Sequence, residues 1–185
     1  VAPLVYESFS WQHGVFAGAT MGSELTAAQV GKLGQVRRDP MAMLPFCGYN
    51  MAEYFKHWLN MGKLMAKPPK IFHINWFRVD WRGVFLWPGF CENLRILEWI
   101  LDRCNNKVNA LQTPIGYLPY PFNIDMTGLS LTEEALEKLF KIDQEEWLEE
   151  LKGIHKFFTD FKKDLPKELW EQYRALHKRL KSYAK

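Results

Sequence analysis

The apolar positions of this chain follow no single rhythm. Near the start, LVYES (Leu4 to Ser8) and WQHGVFAGA (Trp11 to Ala19) are short and rich in β-forming residues, which predicts two strands. From Thr20 to Asp39 the pattern dissolves into glycines and small or polar residues, which predicts a long loop of the kind used as a lid or binding loop. Helical spacing then sets in. Asn50 is placed to cap MAEYFKHWLNMGKL, in which Met51, Tyr54, Phe55, Trp58 and Leu59 mark one face. KPP (Lys67 to Pro69) breaks it, and the apolar run from Ile71 to Phe77 reads as a buried strand. Gly83 predicts a tight connection into VFLW, so the two runs form a hairpin.

After Pro88-Gly89 a helix is predicted from near Glu92, with Leu94, Leu97, Leu101 and Cys104 on one face and Ile96 and Ile100 beside them. TPIGYLPYPF (Thr113 to Phe122) is Pro-rich and reads as irregular. Three helices finish the chain. The first has Ser130 and Glu133 at capping-box spacing. The second opens at Asp143 with Glu146 three residues on, and its stripe is Trp147, Leu151, Ile154, Phe158 and Phe161. The third starts at Asp164-Leu165-Pro166, with Leu169, Tyr173, Leu176, Leu180 and Tyr183 inward. Short strands followed by helices give an α/β class, mixed α+β.

Length and composition narrow the possibilities. At 185 residues, 48% hydrophobic and 24% charged, the chain suits one globular domain. A net charge of +3 is too small to argue for nucleic-acid binding. Three cysteines (Cys47, Cys91, Cys104) without CxxC spacing argue against a disulfide framework or zinc site and for a reducing compartment. There is no apolar run of transmembrane length. VAPLVYES has neither an initiator Met nor a signal or transit pattern, so Val1 reads as a cut point inside something longer, or as a processed or incompletely known end.

The densest chemical signal is WFRVDWRGVFLWPGFCEN, six aromatic rings in eighteen residues (Trp76 to Asn93). Alternation in VFLW puts Phe85 and Trp87 on one face, and the Pro88-Gly89 turn delivers Phe90 to the mouth of the next helix. Such rings serve either as core or as the walls of a slot for a base, where stacking contributes about 1–3 kcal/mol per contact. The amide of Asn93, just past the turn, both donates and accepts, as reading a purine edge requires. No GxxxxGK[ST] accompanies it, so a nucleotide would be held here by its base alone. The histidines lack metal-ligand spacing. The glutamates at 145, 146, 149 and 150 and the basic end from Arg174 read as solvated helix faces.

WQHGVF, SE-x-TAA, DP-x-AM-x-PF-x-GYN, HWL, PKIFH-x-NWFR, FLWPGF-x-EN, LEW and TPIGY follow one another in fixed order. Together they resemble the C-terminal part of GTP-dependent phosphoenolpyruvate carboxykinase, over essentially the whole chain. The resemblance implies the C-terminal part of that family's nucleotide-binding domain, so that residues 1–185 form one partial domain with a lid-like Ω-loop at 18–48 and a helical region at 130–185. It implies a decarboxylating lyase of gluconeogenesis: oxaloacetate and GTP become phosphoenolpyruvate, CO2 and GDP, with Mn2+ and Mg2+ assisting. Phe77, Phe85 and Phe90 match the guanine-stacking phenylalanines, with Trp76 alongside. Phe90, Cys91, Glu92 and Asn93 form the guanine-reading turn, with Asn93 helping to select guanine over adenine. Ser23, Glu24, Thr26, Ala27, Ala28 and Lys32 match the lid.

The family's P-loop, metal ligands and oxaloacetate-binding arginines lie upstream of the matched blocks. The expectation is therefore a chain with no catalytic or metal-ligating residues of its own, whose partner is the upstream carboxykinase half. Gly22, Val30, Gly31 and Leu44 stand where the family carries charged groups, and Cys91 replaces a glycine. Those departures keep open a second reading, a non-catalytic structural subunit of a larger assembly, such as a mitochondrial one. A stand-alone nucleotide-binding module lacks a phosphate site. The family occurs in cytosol and mitochondria, so an intracellular location is implied without a compartment, with neither nucleic acid nor membrane insertion. The surface facing the absent half is expected to be apolar.

Overall fold

A computed structural model describes residues 1–24 and 36–183. They form a mixed α+β fold, as the pattern of the sequence predicts. A four-stranded antiparallel sheet has the order β4-β1-β6-β5, from Phe72–Ile74 (β4), Val5–Glu7 (β1), Gly116–Leu118 (β6) and Leu111–Thr113 (β5). β1 pairs Val5 with Ile74 and Glu7 with Tyr117, so the strand predicted at the chain start becomes the sheet's centre. The predicted strand at 71–77 shortens to three half-buried residues at the sheet edge. The TPIGYL segment is not irregular: Thr113 and Gly116 close the β5–β6 hairpin.

The second predicted strand is a helix, α1 (Trp11–Ala19). Ser10 caps it, its hydroxyl accepting from the His13 N–H at 3.2 Å. His13, Val15, Phe16, Ala17 and Ala19 are all buried, so α1 has almost no polar face from which its period could be read. Gly14 lets it lie against the Ile71 side chain, where a Cβ would fall well inside van der Waals contact.

The 20–39 stretch, read as loop throughout, begins and ends as a two-stranded stem. β2 (Gly22–Glu24) pairs with β3 (Val36–Arg38) in antiparallel register. Thr26, Ala27, Ala28 and Lys32 lie outside the described residues. Past it, α2 (Met51–Leu64) matches the prediction in both ends and cap, with Asn50 Oδ1 accepting from the Ala52 N–H at 3.0 Å.

α3 (Asn93–Cys104), α4 (Glu133–Phe140), α5 (Gln144–Asp160) and α6 (Lys167–Lys181) follow where helices are predicted. Thr132, not Ser130, caps α4, because its hydroxyl reaches the Ala135 N–H at 3.1 Å. Asp143 caps α5 through Glu145 and Glu146. Tyr183 lies past the end of α6 and is exposed instead of inward.

Two cores result. Helices α1, α2, α5 and α6 bury Phe16, Phe55, Leu151, Phe158, Leu169 and Leu176 together. A second core, of Leu4, Val5, Trp87, Ile96, Trp99 and Leu139, sits where the sheet, α3 and α4 meet. That second core carries the aromatic segment.

Candidate functional site: exposed phenylalanines and the Asn93 turn

The segment from Trp76 to Asn93 builds its site from two tight turns. Asp80 makes the first: its Oδ1 accepts from Arg82 N–H at 2.8 Å and Val84 N–H at 3.0 Å. The chain reverses there, Leu86 N–H donates to Arg78 O at 2.8 Å, and Val79 bridges Phe85. The predicted pairing of the 71–77 run with VFLW does not form, because Phe72–Ile74 pairs with β1; a shorter hairpin joins Arg78–Asp80 to Val84–Leu86 instead. It brings Phe77 and Phe85 edge to face, with ring centroids 6.1 Å apart and planes 62° apart. Arg78 fastens the hairpin to the end of α4 by donating to Lys141 O at 2.9 Å.

The second turn is Pro88-Gly89, where Gly89 adopts φ 104°, a conformation costly for any residue with a Cβ. It throws Phe90 outward onto a single-turn 3-10 helix, Phe90–Glu92, that leads into α3. Phe77, Phe85 and Phe90 are 72%, 60% and 93% exposed. Large rings left this bare are not core.

Trp87 behaves differently. Alternation in VFLW predicts Phe85 and Trp87 on one face, yet Trp87 is 2% exposed and packs into the second core. Only Phe85 joins a ladder, and after Leu86 the chain turns inward. Trp76 also leans on this core, 6.2 Å from the Trp87 ring, and is half-buried.

The indole N–H of Trp87 donates to Asn93 Oδ1 at 2.8 Å. An indole nitrogen is only a donor, so the atom it meets must be the amide oxygen. The Asn93 oxygen is thereby engaged, and the amide's orientation is fixed by that bond. Glu92 is committed elsewhere, its carboxylate 2.5 Å from Arg95, which in turn donates to Asp125 O and Thr127 O. This pair clamps the turn. Cys91 is exposed on it. The sequence offered no sign of Trp87's role, since nothing in its spacing distinguishes a packed ring from one that also holds a neighbour.

A cleft of about 1320 Å3 has Phe77, His73 and His13 in its lining together with Ser23, Arg37 and Arg38 from the β2–β3 stem. Burial, reinforced by Arg179, drives the His13 imidazole down to about 3, and burial with the N-terminal charge takes His73 to about 4. Both are neutral near pH 7. The stem is held by Asp39. Burial pushes its carboxyl up, but Ser23 Oγ–H at 2.6 Å, the Leu44 N–H at 3.1 Å and Arg37 outweigh that and hold it below the usual range. Arg38 donates to Thr20 O at 2.8 Å and to Glu150 Oε1 at 2.6 Å. Among the described residues no group of three or more His, Cys, Asp or Glu side chains gathers as a metal-ligand set. None of their helices is long and apolar enough to cross a membrane.

Residues 1–179 match the family model described as the phosphoenolpyruvate carboxykinase C-terminal P-loop domain. The chain belongs to the GTP-dependent phosphoenolpyruvate carboxykinase family. It is 52% identical over 178 residues to the phosphoenolpyruvate carboxykinase (GTP) of Thermoplasma volcanium, which covers 96% of this chain and 30% of that protein. Against the Chlamydia muridarum protein of the same name the identity is 49% over 180 residues, 97% of this chain and 30% of the relative. The Anaeromyxobacter protein matches at 46% over 183 residues. The chain thus spans about a third of the length of these curated relatives.

Proposed function

We propose that this chain supplies the guanine-binding and lid-bearing portion of a GTP-dependent phosphoenolpyruvate carboxykinase, which converts oxaloacetate and GTP into phosphoenolpyruvate, CO2 and GDP. The observation that carries the reading is that the Phe77–Phe85 pair is bare, together with an Asn93 amide whose oxygen is already taken. A guanine stacked on these rings presents O6, an acceptor, to the Asn93 NH2. Adenine would present an amino group there, donor against donor. Stacking contributes about 1–3 kcal/mol per ring. With no GxxxxGK[ST] in the sequence, the triphosphate is cradled by residues of another segment, and the isolated chain binds GDP no more tightly than about millimolar.

Mn2+ and Mg2+, which the family employs, find no cluster of His, Cys, Asp or Glu ligands among the described residues. The β2–β3 stem shares the cleft lining with Phe77, which supports a lid role for the 18–48 region. A lid closed over such a cleft excludes water from a reactive enolate.

The test is a chimera in which this chain replaces the matched 178 residues of the Thermoplasma volcanium relative. The chimera is expected to decarboxylate oxaloacetate with GTP in preference to ATP, and the chain alone to be inactive. A folded chimera that neither turns over nor binds GDP favours the structural-subunit reading instead.

A further inference from the structure

α3 is apolar on two sides. Ile96 and Trp99 are buried in the second core. The face that the sequence pattern marks, with Leu94, Leu97, Leu101 and Cys104, is a different one. Those leucines are 70%, 43% and 59% exposed, and Cys104 is exposed as well. Their spacing of three, four and three residues is that of the a and d positions of two heptads, a stripe one helix wide. A helix apolar on opposite faces belongs in an interior, and a bare row of leucines on a single chain marks a contact surface.

We infer that this face receives an amphipathic helix from the part of the carboxykinase polypeptide that the relatives carry and this chain does not span. This rests on the reading proposed above and names the partner of that portion. Two observations choose the occupant. The relatives are about three times as long as the matched region, and the matched family domain is named for a P-loop whose motif this sequence lacks, so part of that domain lies elsewhere. Beside the stripe, Glu98 is exposed and pairs with no cation among the described residues, so the incoming helix carries an apolar stripe with a Lys or Arg on its Glu98 side.

Cys104, at the end of the stripe, is a native reporter. Its iodoacetamide alkylation, followed by peptide mass spectrometry, is compared between the chain alone and the Thermoplasma chimera. Protection of at least tenfold in the chimera, with Cys91 still reactive, is the expected result. Equal reactivity of Cys104 in a folded chimera overturns the inference. So does a chain that dimerises on its own and is made monomeric by Leu97→Glu, because the occupant is then a second copy. An active chimera with a reactive Cys104 sinks the inference and spares the proposed function; an inactive but protected one does the reverse. Should the chimera not fold, co-expression of the chain with the relative lacking its matched block provides the second measurement. Capture is expected, and is expected to fall at least tenfold with Leu97→Glu but not with Leu111→Glu, an exposed site on β5. Capture insensitive to Leu97→Glu overturns it.

Discussion

Replacing Trp87 by Phe deletes one hydrogen atom that matters and keeps a ring in the second core. The lost bond is the 2.8 Å donation to Asn93 Oδ1. In the native chain an adenine base has two routes, both costly. It can set its amino group against the Asn93 NH2, at about 1–3 kcal/mol for unsatisfied donors. Alternatively it can flip the amide, which sets the NH2 against the buried Trp87 N–H, donor against donor, at a similar cost of about 1–3 kcal/mol. Either route gives a discrimination of roughly five- to a hundredfold in favour of GDP. In Trp87→Phe the flip costs nothing, so the preference is expected to collapse toward one, mainly by a gain in ADP affinity. Ligand-detected NMR titrations of the isolated chain with GDP and ADP suit the millimolar range, and near-UV circular dichroism checks that the core persists. A Trp87→Phe chain that loses affinity for both nucleotides in equal proportion refutes the reasoning, and so does a native chain with no preference for GDP.

Two further outcomes follow from burial. In a helix Gly→Ala ordinarily gains about 1 kcal/mol, but Gly14→Ala in α1 drives a methyl into Ile71, so a net loss of about 1–3 kcal/mol is expected, partly restored by adding Ile71→Ala; a raised Tm contradicts this. His13 and His73 have native values of about 3 and 4, below the roughly 6.5 of the unfolded chain, so the stability they contribute is present above that pH and lost as pH falls from there toward the native values. Each group costs about 1.4 kcal/mol per pH unit within that window. The urea midpoint should therefore drop clearly between pH 7 and pH 5, and a flat profile rules the assignment out.

What could be read in advance depended on whether an element keeps a wet side. Helices α2, α5 and α6 show polar faces and capping residues, and their ends are legible at Asn50, Asp143 and Pro166. α1 was hidden because it is buried nearly all round, and β-forming residues in a short apolar run look the same in a strand or a buried helix. For α3 the period was legible but not the direction: both faces are apolar, and the sequence cannot say which one this segment covers by itself. In the site, Phe77, Phe85, Phe90 and Asn93 came from motif resemblance, and the structure shows the three rings exposed. The bond from Trp87 to Asn93 needed coordinates, since it spans two turns whose geometry no pattern reports. Thr26, Ala27, Ala28 and Lys32 lie outside the described residues.

Arg38 joins parts of the chain that are far apart in sequence. One guanidinium grips the carbonyl at the end of α1 and the Glu150 carboxylate on α5, 112 residues away. The β2–β3 stem is thus moored to the helical C-terminal region through a single side chain, as well as by its own strand pairing. Loosening α5 at Glu150 would unsettle that stem while leaving the Trp87–Asn93 corner, which rests on a separate core, where it stands.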